Sequence, residues 1–198
     1  MSVIRAAVAQ QYCAGDLLYW PGFYPQLLAD SYYQRCVNEV NWSQERIKMF
    51  GKQVNIPRLQ AWYGDEDAHY TYSGLPMRPQ PWQNTLLTLK AECELKLGYQ
   101  FNSVLANYYR NNNDSMGWHS DNEKQLGEQP FIASLSFGQV RRFCLRHKKS
   151  GEKVELNLQS GSLLVMQGDL QSNWQHSLPK SKKNLLGRVN LTFRQIVK

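Results

Sequence analysis

The sequence predicts an α+β fold that is mainly β, a jelly roll carried on N-terminal supporting helices. Two stretches in the first half repeat apolar residues at helical intervals, and beyond Gly98 the pattern changes to short apolar runs separated by polar turns. Composition agrees: over 198 residues the chain is 42% hydrophobic, 12% aromatic and 20% charged, enough apolar mass for one buried core and unlike a disordered chain. One domain over residues 1–198 is therefore expected, with about 1–100 forming helices, hairpin and lid and about 101–198 forming the β core.

Taken in order, Pro21 and Gly22 make a turn, and residues 25–40 read as a first helix whose apolar face holds Leu27, Leu28, Tyr32 and Val37. Residues 47–64 (IKMFGKQVNIPRLQAWYG) read as a hairpin turning at Gly51, because the stretch 54–63 is rich in strand formers. The aromatic segment that follows is broken by glycine and proline and is expected to be an ordered loop. Leu86, Leu89, Cys93 and Leu97 recur at helical spacing, with Gly98 as the C-cap of a second helix over 82–97. Short strands are then expected at 103–109, 117–121, 131–137, 142–147, 153–158, 162–166 and 189–196.

Charge and cysteine usage narrow the function classes. Twenty-three basic against 16 acidic residues leave a net charge of +7, a field that draws polyanions and raises nucleic acid among possible partners. No run approaches the length of about 20 apolar residues needed to span a membrane. Gln10 and Gln11 interrupt the apolar residues Val3, Ile4 and Val8 before any leader-like core forms, so an intracellular protein is expected, cytoplasmic if bacterial. Cys13, Cys36, Cys93 and Cys144 are scattered without metal-ligand spacing and read as reduced packing residues.

The chemistry-bearing residues lie in MGWHSDNE and SNWQHS. On an extended chain His119 and Asp121 leave the same face, and a distant strand can bring His176 to complete two imidazoles and one carboxylate. Such a set leaves positions open on a non-haem Fe(II), although an HxD pair also occurs with no metal. In GRVNLTFRQ, Arg188, Asn190, Thr192 and Arg194 alternate with Val189, Leu191 and Phe193. Two arginines facing a barrel interior call for anions, and a dicarboxylate such as 2-oxoglutarate offers one at each end; a solvated edge strand is the alternative. Asn107 and Tyr109 share a face of ANYYR in the same way, suiting a carboxylate ligand or an ordinary core hydrogen bond.

Together these motifs resemble the AlkB-type Fe(II)- and 2-oxoglutarate-dependent nucleic-acid dealkylases. The likeness runs from IPRLQAWYG through NYYRNNNDSMGWHSDNE, IASLSFGQVRRFCLRHK, GSLLVMQGD and NWQHSLPKS to RVNLTFR, covering about residues 47–195. The MFGK hairpin, YTYSG loop, HSDNE ending and HSLP are most similar to the branch acting on double-stranded DNA. The resemblance implies a double-stranded β-helix with an N-terminal nucleotide-recognition lid, Fe(II) on His119, Asp121 and His176, and 2-oxoglutarate and dioxygen as co-substrates. It assigns Arg188 and Arg194 to the co-substrate carboxylates, with Asn107, Tyr109 and Asn190 as further partners and Arg194 also pairing with Asp121.

For the base, the resemblance puts Glu123 beside the flipped nucleotide, Tyr72 stacked on it opposite His119, and Gln60, Trp62 and Tyr63 in the lid. Met49 and Phe50 at the hairpin tip would wedge into the helix, unless the tip folds onto the domain. Arg141, Arg142, Arg146, His147, Lys148 and Lys149 form a basic run, read as phosphate contacts or a solvated turn, and Lys180, Lys182 and Lys183 read alike. Met166 stands where the founding bacterial enzyme has a pocket tryptophan; Trp174, two residues before His176, would wall the site or simply pack. The implied reaction is oxidative demethylation of 1-methyladenine and 3-methylcytosine by a monomer, in alkylated DNA that is expected to be double-stranded. An RNA or single-strand dealkylase, and a catalytically silent nucleic-acid-binding module, are the alternatives.

Overall fold

The computed structural model describes residues 8–49, 51–68, 70–72 and 75–197. The chain opens with β1 (Gln10–Tyr12) and β2 (Leu17–Trp20), followed by α1 (Gln26–Glu39) and a hairpin of β3 (Arg46–Met49) and β4 (Lys52–Asn55). Next come β5 (Leu59–Gly64), a short hairpin of β6 (Tyr70–Tyr72) and β7 (Leu75–Met77), and α2 (Asn84–Leu97). The second half contains β8 (Ser103–Tyr109), β9 (Met116–His119), β10 (Ile132–Gly138), β11 (Arg141–His147), β12 (Lys153–Leu158) and β13 (Ser162–Met166). The single turn α3 (Leu170–Asn173), β14 (Trp174–Leu178) and β15 (Arg188–Arg194) complete it.

Two antiparallel sheets dominate. The larger has the order β1-β2-β13-β10-β15-β8-β5, and the smaller β12-β11-β14-β9. Strict alternation on β15 separates two cores. Val189, Leu191 and Phe193 face the helices, packing with Ala29, Cys36, Leu89 and Cys93, whereas Tyr109, Ile132, Leu164 and Met166 meet Phe143, Leu145, Leu156 and Leu178 between the sheets. Each fully buried aliphatic or aromatic side chain contributes roughly 1.5–3 kcal/mol. The intervening residues of β15, all polar, are thereby committed to the space between the sheets.

The helices form where expected, and on α1 Tyr32 is buried with Leu28 and Val37 packed against the same core, joined by the small residues Ala29 and Cys36; of the predicted face, Leu27 is exposed instead. Gly98 ends α2 in the left-handed region at φ 65°, its N–H donating to the Glu94 carbonyl. The predicted long second hairpin strand breaks at Pro57, which lacks a ladder donor; β5 leaves the hairpin and joins the large sheet beside β8. Strands β1, β2 and β14 and the β6–β7 pair go beyond the predicted set. No helix among the described residues is long and apolar enough to cross a membrane.

Candidate metal centre and its pocket

Strand pairing assembles the metal-binding side chains. β9 lies at the edge of the small sheet, and its antiparallel register with β14 sets His119 directly opposite His176, the two ring centroids 4.2 Å apart. β9 ends at His119, so the expected continuation of one strand face through Asp121 and Glu123 does not occur. The chain turns instead. Ser120 Oγ donates to the Trp174 carbonyl (2.7 Å) and the Asp121 N–H to Gln171 Oε1 (2.9 Å), tying this turn to the start of the strand that carries His176. Arg194 reaches across from the large sheet and donates from Nη2 to Asp121 Oδ2 at 2.6 Å. One ligand atom from each of His119, Asp121 and His176 then lies within 4.8 Å of the others.

Electrostatics prepare these groups for a cation. Burial alone would raise the Asp121 carboxyl, but Arg194 and the two imidazoles hold it well below the usual carboxylate range. Burial, with His119 and Arg194 nearby, pushes His176 down to about 3, so its imidazole is neutral and keeps a lone pair at neutral pH. His119 Nδ1 lies 2.9 Å from the Gly117 carbonyl, which accepts a hydrogen bond from Nδ1–H and leaves Nε2 as the ligand atom. Asp121 Oδ1 is buried without a hydrogen-bond partner, 3.6 Å from His119 Nε2. An orphaned carboxylate oxygen between two imidazoles fits a divalent ion with mixed nitrogen and oxygen ligands. This His/Asp/His facial triad is typical of Fe(II)- and 2-oxoglutarate-dependent dioxygenases.

The same cavity has an anionic demand at its other end. Arg188, Asn190, Thr192 and Arg194 of β15 line it together with Leu105, Asn107 and Tyr109 of β8 and Ser134 of β10. Arg188 is fully buried, and Nη2 donates to Ser136 Oγ at 2.8 Å while Nε and Nη1 have no hydrogen-bond partner. Burial pushes its guanidinium down to about 10, still cationic at neutral pH, with the Tyr109 ring 5.3 Å below it. A buried cation with two unused donors fits a carboxylate. Asn107 Oδ1 accepts from Arg58 Nε (2.8 Å), which leaves the amide donors of Asn107 for the cavity. Asn190 also lines the cavity, and its amide nitrogen donates to Ser134 Oγ and the Leu135 carbonyl, bracing the strand pair.

Several expected site residues are placed elsewhere. Gln60 and Trp62 lie buried on the edge strand β5, where Trp62 Nε1 donates to the Ala68 carbonyl and packs with Leu105, Leu126 and Ile196; neither lines the cavity. Tyr63 leaves the opposite face of β5 and packs in the helix-side core, its hydroxyl accepting from the Asn41 N–H, so the lid role is corrected for it. Glu123 precedes a short 3-10 turn, with Oε2 buried and unpartnered. Tyr72 belongs to β6 and Met49 closes β3, whereas Phe50 lies outside the described residues.

The basic run also separates. Arg141 is buried and donates to the carbonyls of Asn111, Asp114 and Pro179, an internal brace and not a phosphate contact. Arg142 is exposed, 3.6 Å from Glu155; Arg146 donates to Gln175 Oε1 and lies over the Trp118 ring. Lys180, Lys182 and Lys183 flank a surface groove with Arg142. Met166 lines the cavity, and Trp174 packs edge-on against His147 outside it. Sequence reasoning missed Arg58 and Gln171, both buried polar residues within quoted motifs or beside them; their one signal is a polar side chain interrupting an apolar neighbourhood.

A model of the 2OG-Fe(II) oxygenase superfamily matches residues 16–194. Human "Alpha-ketoglutarate-dependent dioxygenase alkB homolog 3" is 43% identical over 187 residues, 89% of this chain and 65% of that protein. Human "DNA oxidative demethylase ALKBH2" is 42% identical over 180 residues, covering 85% of this chain and 69% of the relative. The chain belongs to the AlkB family of 2OG-Fe(II) oxygenases. The Arabidopsis thaliana protein named DNA oxidative demethylase ALKBH2 is 32% identical to this AlkB-family chain over 209 residues, 92% of it and 67% of the relative. The chain spans just under two thirds of the alkB homolog 3 proteins of cattle and humans. Near-equal identity to the two human proteins does not single out one branch. The structure of OsALKBH1 matches with a TM-score of 0.67 at 16% identity, covering 93% of this AlkB-family chain and all of that one, a likeness of fold.

Proposed function

We propose that this protein removes alkyl groups oxidatively from ring nitrogens of DNA bases, 1-methyladenine and 3-methylcytosine among them, with Fe(II), 2-oxoglutarate and dioxygen. On this reading residues 1–198 form one dioxygenase domain, its facing sheets a double-stranded β-helix. The observation that carries it is the joint geometry of one cavity: a buried His/Asp/His triad at one end and Arg188, cationic with unused donors, at the other, in a chain of the AlkB family. His119 Nε2, Asp121 and His176 would hold the iron; Arg188, Tyr109 and Asn107 would hold a carboxylate of 2-oxoglutarate, and Arg194 fixes Asp121.

When bound, iron with 2-oxoglutarate and dioxygen supplies the oxidation of the N-methyl carbon, giving succinate, carbon dioxide and a hemiaminal that releases formaldehyde and the restored base. The protein binds and orients. Leu105, Phe143, Leu158 and Leu178 give the cavity apolar walls. Glu123, with Asp121, favours a base that carries the positive charge of N-methylation, and that lesion is also cheap to flip because it no longer pairs. Tyr72 supports the nucleotide side, and Arg142 with Lys180, Lys182 and Lys183 the phosphates.

The deciding experiment measures formaldehyde release and base restoration from 1-methyladenine in matched single- and double-stranded DNA and RNA. Turnover that disappears in His119→Ala supports the proposal; absence of turnover on every strand, with iron and 2-oxoglutarate bound, overturns it in favour of a silent binding module. A preference for duplex that Phe50→Ala removes would support the wedge reading of Met49 and Phe50. Preference for RNA or single strands would overturn that part.

A further inference from the structure

The alternation of β9 that sends His119 inward sends Trp118 outward. Trp118 is 41% exposed, the aromatic among the exposed large apolar side chains of the described residues. An indole so placed adds little to the core. It is nonetheless held in a fixed setting: the Arg146 guanidinium lies 4.4 Å from its ring centre, and Arg146 is itself pinned by Nε and Nη2 to Gln175 Oε1 at 3.0 and 2.8 Å. Those two bonds fix the plane of the guanidinium and leave its Nη1 donors for a phosphate. Arg146 lies over the indole as the second part of a cationic, aromatic shelf built on β9, β14 and β11.

The charges around this shelf are uneven. Lys153 pairs with Arg146 across the β11–β12 ladder and Lys149 follows the end of β11, whereas Lys148 Nζ is committed to the Gln171 carbonyl at 2.8 Å; Glu155, the acidic residue of the same sheet face, is engaged by Arg142 at 3.6 Å. Trp118 is bonded directly to a metal ligand, so the shelf and the cavity stand back to back across one strand. We propose that Trp118 and Arg146 form a stacking platform for an unpaired nucleobase flanking the target base in single-stranded nucleic acid. Indole and guanidinium planes take any base by its π-face, and the lysines attend the backbone. In a duplex the flanking base is already stacked and paired, so the platform acts on single strands. This rests on the dealkylase reading above.

The test compares wild type, Trp118→Ala and Trp118→Phe on one 1-methyladenine oligonucleotide, single-stranded and annealed to its complement. Binding of the undamaged single strand is followed in parallel by fluorescence anisotropy. Expected for Trp118→Ala is a rise of about tenfold in KM and in Kd for the single strand, with kcat held and the duplex moving far less. Trp118→Phe restores most of the loss. Unchanged single-strand affinity overturns the platform, as does an equal loss on both substrates or a fall in kcat, which would place the effect in neighbouring His119. Absence of turnover in the wild type would sink the dealkylase reading instead, while anisotropy would still decide the platform.

Discussion

At the level of single residues, Arg188 and Gln171 make separable contributions. Arg188 is a buried cation whose remaining donors await an anion, so Arg188→Met removes charge-assisted bonds to the co-substrate and, at the same time, a charge that the unliganded core must bury. We expect 2-oxoglutarate affinity to fall by about ten- to a hundredfold in anaerobic titration, with the unliganded protein at least as stable to urea. Unchanged affinity would show that the carboxylate binds elsewhere. Gln171 touches no metal, yet it accepts the Asp121 N–H, and its own carbonyl accepts from Lys148 Nζ at 2.8 Å. Gln171→Leu should weaken Mn(II) or Fe(II) binding by roughly ten- to a hundredfold without unfolding the chain; an unmoved affinity would mean that Arg194 alone positions Asp121. The triad itself was legible from residue type and spacing. Gln171 and Arg58 were not, because a supporting hydrogen bond between segments far apart in sequence leaves no local pattern.

Among the elements, β15 was readable because its two faces answer to different surroundings: helices on one side, the opposing sheet on the other. The first helix was readable in extent and, through Leu28, Tyr32 and Val37, in direction; what escaped were the small inward residues Ala29 and Cys36, which carry weaker periodic signals than the exposed Leu27. Strand β5 and the end of β9 escaped for a related reason: pairing partners from elsewhere decide where such short runs stop. The joint between α1 and the large sheet turns on Gly161, whose φ is +72° and whose added Cβ would meet the Tyr24 carbonyl and Ala29 Cβ, each at 2.9 Å. The Gly161 carbonyl also accepts the Tyr24 N–H at 2.8 Å, fixing the entry to the helix. Gly161→Ala should therefore destabilise the fold by about 1–3 kcal/mol in urea unfolding through strain and overpacking. Metal affinity in the remaining folded protein should stay unchanged, because this joint lies on the helix side of the sheet; a wild-type midpoint would show that α1 shifts to accommodate the methyl group.

Over the whole molecule the surplus of +7 is distributed unevenly, and its function depends on which cations are free. Arg188 and Arg141 are buried, and Arg142 has Glu155 beside it, so these contribute little to a long-range outer field that could gather a polyanion. Lys180, Lys182 and Lys183 are different: they flank a surface groove lined also by Pro179, the residue after the cavity-lining Leu178. A strand whose base enters the cavity would bring its phosphates past them. Each phosphate neutralised on a single strand contributes about 0.7 to the slope of log affinity against log salt. Replacing Lys182 and Lys183 together by Gln should lower that slope by about 1.4 for single-stranded DNA and weaken binding evenly across base sequences. Because neither lysine touches the cavity, kcat at saturating substrate should hold. The same double replacement with an unchanged slope would remove this groove from the path of the nucleic acid and leave Lys149 and Lys153, around the Trp118 shelf, as the cations that attract it.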